Sequence, residues 1–146
     1  MDEIFQKYDI ELSVEERKKF HDFLRIFKET NTHINLSAIR GDNEIIKKHF
    51  VDSIMLWAFF DITEEFWESA KVADLGTWGG FPGIPLAIVT PDAEFTLIDS
   101  VAKKLKCIDD FAETLELDTI ETLVWRAEEI GQNPEYREQF DIVVSR

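Results

Sequence analysis

The sequence predicts an α/β fold in which a helical N-terminal part precedes an open parallel sheet. Three observations predict it. Residues 1–69 read as helical, residues 70–146 alternate short apolar strands with helices, and the first strand runs into a glycine-rich turn, Gly76-Thr-Trp-Gly-Gly-Phe-Pro-Gly83. Strand–helix alternation of this kind gives parallel strands joined by right-handed crossovers.

The elements follow in order. Ser13 and Glu16 form a capping box that starts a helix, and Phe20, Phe23, Leu24 and Phe27 then recur at helical spacing. The polar stretch at 30–35 breaks that pattern. A second helix is expected from Asp42, a good N-cap, with Ile46, Phe50, Ile54 and Trp57 on one side and His49, Asp52, Ser53 and Leu56 on another. Three of those last four are polar, so this face either lines a cleft or meets solvent. Strands are expected at 71–75, 94–98, 120–124 and 140–144. Between them fall a helix after Gly83, a helix over 100–116 capped by Ser100, and a short helix at 127–131. The long helix puts Val101, Leu105, Ile108, Ala112 and Leu115 on one face. The sheet stops after its fourth strand, short of the five or more strands usual for such folds. A fragment is therefore expected, or a protein that completes its sheet by self-association through that exposed strand.

Bulk composition narrows the class. The chain of 146 residues is one domain's length, and 45% hydrophobic content with 12 Phe suffices for a core. No apolar run reaches membrane-spanning length, and the first residues lack the pattern of a signal peptide. The single Cys107 excludes an internal disulfide and fits a reducing cytoplasm, where it reads as a structural thiol. The net charge of −14 argues against general nucleic-acid binding. Its distribution softens that: residues 1–60 hold 9 Lys and Arg against 11 Asp and Glu, and residues 61–146 hold 7 against 19.

The glycine turn is the chemical signal. Glycine permits a sharp bend and a close backbone approach to a ligand, and Asp99 ends the second strand, where a carboxylate accepts hydrogen bonds from ribose hydroxyls. The dinucleotide pattern G-x-G-x-x-G fails, because its positions hold Gly76, Trp78 and Phe81. The phosphate loop ending in Gly-Lys-Ser/Thr is absent. The histidines His21, His33 and His49 are scattered, so no metal is expected, and no catalytic nucleophile or general base can be nominated. What remains is a ligand with a ribose and no pyrophosphate, S-adenosylmethionine foremost.

Six segments then resemble one family in order: Asn35-Leu-Ser-Ala-Ile-Arg40, Lys48-His-Phe-Val-Asp-Ser53, Asp74 through Ile88, Phe95-Thr-Leu-Ile-Asp-Ser100, Arg126-Ala-Glu128, and Phe140-Asp-Ile-Val-Val-Ser-Arg146. They are similar to the small-subunit ribosomal RNA (guanine-N7) methyltransferases of the glucose-inhibited division B type. The resemblance implies a Rossmann-like S-adenosylmethionine-dependent methyltransferase fold with an N-terminal helical cap, its parallel sheet truncated after the fourth strand. It implies that Gly76 and Phe81 line the methionine and adenosine site and that Asp99 holds the ribose. Ala127 and Glu128 would sit near the adenine, Arg146 would close the site, and Lys103 and Arg126 would face RNA phosphates. The substrate would be small-subunit rRNA or the 30S particle. Guanine N7 has a free lone pair, so alignment rather than proton removal is the main task.

One position departs from the family's turn. Trp78 stands where a second glycine is usual, and a positive φ there would strain a bulky residue. Either the indole flanks the ligand, or it fills the methionine pocket and leaves a non-catalytic interaction module. A small-molecule methyltransferase is a further alternative, better suited to the acidic charge.

Overall fold

The computed structural model describes residues 1–59 and 64–146; the helical expectation at 60–63 and the side chain of Leu56 lie outside the described set. The N-terminal part holds α1 (Asp2–Lys7), α2 (Val14–Asn31), α3 (Asp42–Ile45), a π-helical turn (Ile46–Val51), α4 (Asp52–Phe59) and α5 (Glu64–Trp67). The expected capping box opens α2: Ser13 Oγ accepts the Glu16 N–H at 3.2 Å, and the Glu16 carboxylate accepts the Ser13 N–H. Phe20, Phe23 and Phe27 are fully buried along its stripe.

Asn31 shapes the break after α2. Its buried Oδ1 accepts the N–H groups of Leu36 and Ser37 at 2.8 and 3.0 Å, replacing the partners that the helix no longer provides. Asp42 is expected as the next N-cap, but Gly41 occupies that position. The Asp42 carboxylate turns to Lys28 at 2.5 Å and stays in the first helical turn, where it still complements the helix dipole. The helix then passes through the π-helical turn into α4. Ile46, Phe50 and Ile54 are buried on the expected side.

Strands β1 (Lys71–Leu75), β2 (Glu94–Asp99), β3 (Ile120–Val124) and β4 (Ile142–Ser145) pair in parallel in the order β3-β2-β1-β4. The order reverses at β1, and in such sheets that reversal opens a crevice above the strand ends. β4 begins two residues later than expected because Asp141 is the entry to the strand. Its N–H reaches the Lys71 carbonyl and its carboxylate takes the Lys71 N–H, both at 2.9 Å. β4 pairs with β1 alone among the described strands, and its Val143 is 56% exposed.

Helices α6 (Gly83–Val89) and α7 (Ala102–Thr114) pack on one face of the sheet, with α2 and α4 against them. Val72, Phe95 and Leu97 fill that interface. The other face carries a thinner cluster of Ala73, Ile98 and Ile130, bordered by Trp125, Tyr136 and Phe140 and including α8 (Ala127–Ile130). Among the described residues no helix is long and apolar enough to cross a membrane.

Two expectations for α7 are corrected. Ser100 is not its cap; Val101 holds the N-cap position, and Asp99 Oδ1 accepts the Val101 N–H at 2.9 Å from the end of β2. Val101 is consequently exposed rather than part of the apolar face, which Leu105, Ile108, Phe111 and Leu115 make up. Cys107 is buried, its thiol donates to the Lys103 carbonyl at 3.3 Å, and burial pushes its pKa up, all as a structural thiol should be.

Gly83 lets α6 start directly over β1. A Cβ there would lie 2.9 Å from Asp74 Oδ2 and 2.9 Å from Leu97 Cγ. Gly83→Ala is expected to lower stability by about 1–3 kcal/mol, as overpacking of a tight core does. Urea unfolding measures it; an unchanged midpoint would show that α6 can shift freely.

Candidate functional site

The turn after β1 is built against the end of β2. The N–H groups of Gly76 and Thr77 both donate to the Ile98 carbonyl, at 2.8 and 3.2 Å, and the Trp78 N–H donates to Asp99 Oδ2 at 3.2 Å. Asp99 thus braces the turn with one oxygen and the start of α7 with the other. A carboxylate has about four lone-pair sites, so acceptor capacity is left for a further donor. Gly76 has φ +74°, and a Cβ on it would meet nothing within 4 Å. The backbone there faces open space.

That space is a cleft of about 310 Å³ whose walls include Gly76, Trp78, Asp99, Lys104, Trp125, Arg126, Ala127 and Glu128. Its volume falls at the lower end of the roughly 300–1,000 Å³ common for ligand clefts. Five sequence-predicted residues therefore meet around one opening: Gly76, Asp99, Arg126, Ala127 and Glu128. Lys104 and Trp125 also line it and are absent from the sequence expectation, although an aromatic ending the third strand was a usable signal.

Trp78 adopts φ +52°, the left-handed conformation that favours glycine. Its indole is 57% exposed at the lip of the cleft, with Lys104 Nζ 4.0 Å from the ring centroid. An ammonium over an indole face at an exposed site contributes about 0.5–1 kcal/mol. The ring stands at the wall while the cleft beside Asp99 stays open.

Beneath the turn, Asp74 is fully buried. Its Oδ2 accepts the Gly83 N–H at 2.9 Å, while its Oδ1 and the Thr77 hydroxyl have no hydrogen-bond partner. Burial raises the Asp74 pKa from 3.8 to about 6, with the Asp99 charge adding to it and the Gly83 amide and the Arg146 charge pulling the other way. A buried carboxylate with a free oxygen, at the switch point of a parallel sheet, is a functional-site signature. A charged residue inside the apolar run Val72-Ala73-Asp74-Leu75 was the sequence signal for it.

The other expected residues lie elsewhere. Phe81 does not line the cleft; its ring is buried against Phe23, Phe27 and Phe50 and stacks on His49 at 4.6 Å. Lys103 is exposed on the first turn of α7, outside the cleft. Arg146, at the end of β4, reaches back to the helical part, pairing with Asp52 at 3.1 Å and with His49 Nδ1. The face of His49, Asp52 and Ser53 is therefore neither a cleft wall nor simply solvated. His49 and Ser53 are buried, and only Asp52 is exposed.

The residues fit a sulfonium nucleoside on two counts. A carboxylate with spare acceptor capacity stands beside the Gly76 backbone, which faces open space, and orphaned buried polar atoms lie just below. Among the described residues no cluster of His, Cys, Asp or Glu is arranged to hold a metal ion.

Comparison with known proteins matches this arrangement to one family. The family model described as rRNA small subunit methyltransferase G matches residues 16–146. A protein of Clostridium novyi (strain NT) named ribosomal RNA small subunit methyltransferase G is 42% identical over 141 residues, covering 97% of this chain and 56% of that protein. One of the same name from Lactobacillus delbrueckii subsp. bulgaricus (strain ATCC BAA-365 / Lb-18) is 38% identical over 147 residues, covering 99% of this chain and 59% of its own length. A third so named, from Desulfitobacterium hafniense (strain Y51), is 40% identical over 141 residues, covering 97% and 56% respectively. The chain thus spans 56–59% of the length of these curated relatives. With a family model matched over residues 16–146, relatives 38–42% identical over nearly its whole length, and a four-stranded parallel α/β sheet, the chain belongs to the rRNA small subunit methyltransferase G family.

Proposed function

We propose that this chain carries the cofactor-binding part of an S-adenosylmethionine-dependent methyltransferase acting on guanine N7 in small-subunit rRNA. The observation that carries this reading is the pairing of Asp99 with the open backbone at Gly76 on one cleft. When bound, S-adenosylmethionine supplies an electrophilic methyl on sulfur. Asp99 would take the ribose hydroxyls, Ala127 and Glu128 the adenine side, and Arg126 and Lys103 RNA phosphates. The buried Asp74 carboxylate and the Arg146 guanidinium set the charge around the turn. No side chain need remove a proton from N7, so these residues hold and align. The target base, turned out of a folded loop, would have to reach this opening from solvent.

Trp78 at the lip, with the cleft open beside it, favours this reading over the blocked interaction module. Asp99→Ala is expected to weaken S-adenosylmethionine binding by roughly 1–3 kcal/mol, the effect of losing a charged acceptor. Isothermal titration reads it; unchanged affinity would make Asp99 only a brace for the turn and α7. Transfer of labelled methyl to 30S particles, compared with small metabolites, tests the substrate class, and labelling of metabolites alone would overturn the rRNA assignment. Self-association through the β4 edge belongs to the same proposal and is read by sedimentation.

A further inference from the structure

From the end of β4, Arg146 reaches the helical part, touching residues 97 and 94 positions earlier in the chain. We propose that His49 and Asp52 form a clamp that fixes the Arg146 guanidinium at the β1/β4 strand ends, where Ser145 pairs with Leu75 just before the Gly76 turn, so that His49 is a positioning residue for the edge of the cofactor site rather than for its lining. The inference rests on the function proposed above.

The geometry assigns the parts. A guanidinium can only donate, so the His49 Nδ1 facing it must carry a lone pair, and the ring proton sits on Nε2. Nε2 lies 2.9 Å from Ser37 Oγ, which also accepts the Ile39 N–H at 3.1 Å. The imidazole is therefore neutral and held at both nitrogens. Its plane is set by stacking on Phe81 at 4.6 Å and 15°, and by an edge contact with Phe27 at 6.1 Å. Ser53 Oγ donates to the His49 carbonyl and steadies the backbone in the π-helical turn. Asp52, three residues on, reaches the same guanidinium from an exposed position. An exposed ion pair contributes little by itself, so the buried imidazole sets where the guanidinium sits.

The same contacts make the clamp acid-sensitive. Burial and the Arg146 charge lower the His49 pKa to about 4, with the Asp52 charge and a hydrogen bond to the Lys48 backbone opposing this and the Lys48 charge adding slightly to it. Protonation would set an N–H against the guanidinium. Asp74 faces the same charge from β1.

The test uses the 146-residue chain, S-adenosylhomocysteine as the probe, and two readouts: calorimetric affinity and the nitrogen NMR signals of the Arg146 guanidinium. His49→Phe keeps the stacked ring and removes the acceptor; His49→Asn restores an acceptor near Nδ1. The expected result is a five- to tenfold loss of affinity in His49→Phe with broadened Arg146 signals, both recovered in His49→Asn. The clamp further requires His49→Phe combined with Arg146→Ala to be no weaker than Arg146→Ala alone. If His49→Phe cannot be folded, Asp52→Asn is expected to give a two- to threefold loss with a partial change in the same signals. Unchanged affinity and unchanged signals in a folded variant overturn the clamp, as do fully additive losses. Failure of the wild type to bind overturns the proposed function instead, and slowly exchanging Arg146 signals that depend on His49 would then still support the contact itself.

Discussion

Phe81→Ala is expected to lower the unfolding free energy by about 3–5 kcal/mol, the usual cost of deleting a buried phenyl ring. The ring lies at 5.2–6.0 Å from the centroids of Phe23, Phe27 and Phe50, and it carries the stacked imidazole of His49. It is the point where α2, the π-helical turn and the glycine turn meet, so truncation opens a cavity with rigid walls on every side. Aromatic pairs of this spacing contribute about 0.5–1.5 kcal/mol each beyond area burial. Against a total stability of about 5–15 kcal/mol, the loss is severe. Urea denaturation checks it, with the midpoint falling and the slope little changed. Phe81→Leu, which retains most of the volume, is expected to cost no more cofactor affinity than His49→Phe, since the ring does not line the cleft and bears on it only through the stacked imidazole. A large affinity loss in a stable Phe81→Leu protein would return the ring to the ligand.

Asp74→Asn is expected to act in the opposite direction, raising stability at neutral pH by up to about 3 kcal/mol, from 1.36 kcal/mol per pKa unit. The sign follows from the raised pKa. Below the ordinary 3.8 the carboxyl is protonated in both states and costs the fold nothing; as pH climbs towards about 6 the unfolded chain ionises first, and stability is lost across that window. Asparagine cannot ionise and still offers an oxygen to the Gly83 N–H, so the decline disappears. His49 contributes the reverse trend, because its lowered pKa makes the fold gain stability between about 4 and 6.5. Comparing variant with wild type at pH 5, 6 and 7.5 isolates Asp74. A difference that does not grow with pH would mean the carboxylate is not paying for burial. The same substitution is expected to weaken cofactor binding, the mark of a group retained for function at the expense of stability.

What the sequence reveals and conceals has physical reasons. Strands and α7 are legible because their periodicities are local, and Asp99 is legible because a carboxylate ending an apolar strand is conspicuous. The N-cap of α7 is not, because Asp99 reaches across from β2 and displaces Ser100 from the role its position invites. Phe81 reads as a ligand contact because it sits in a glycine turn, yet the turn directs it inward onto Phe27. The Arg146 contacts are invisible to any window, since they depend on β4 lying beside β1 and on a π-helical turn that regular helical spacing does not anticipate. Trp78 is the case where the expectation of a glycine-like φ is met by a residue that strains to adopt it.

Titrating the chain calorimetrically with S-adenosylmethionine, beside Trp78→Gly, tests the central claim most directly. The account predicts saturable one-to-one binding by the wild type, with the indole tolerated at the rim. A silent wild type whose Trp78→Gly variant binds would contradict it, and would show that the ring closes the opening it stands beside.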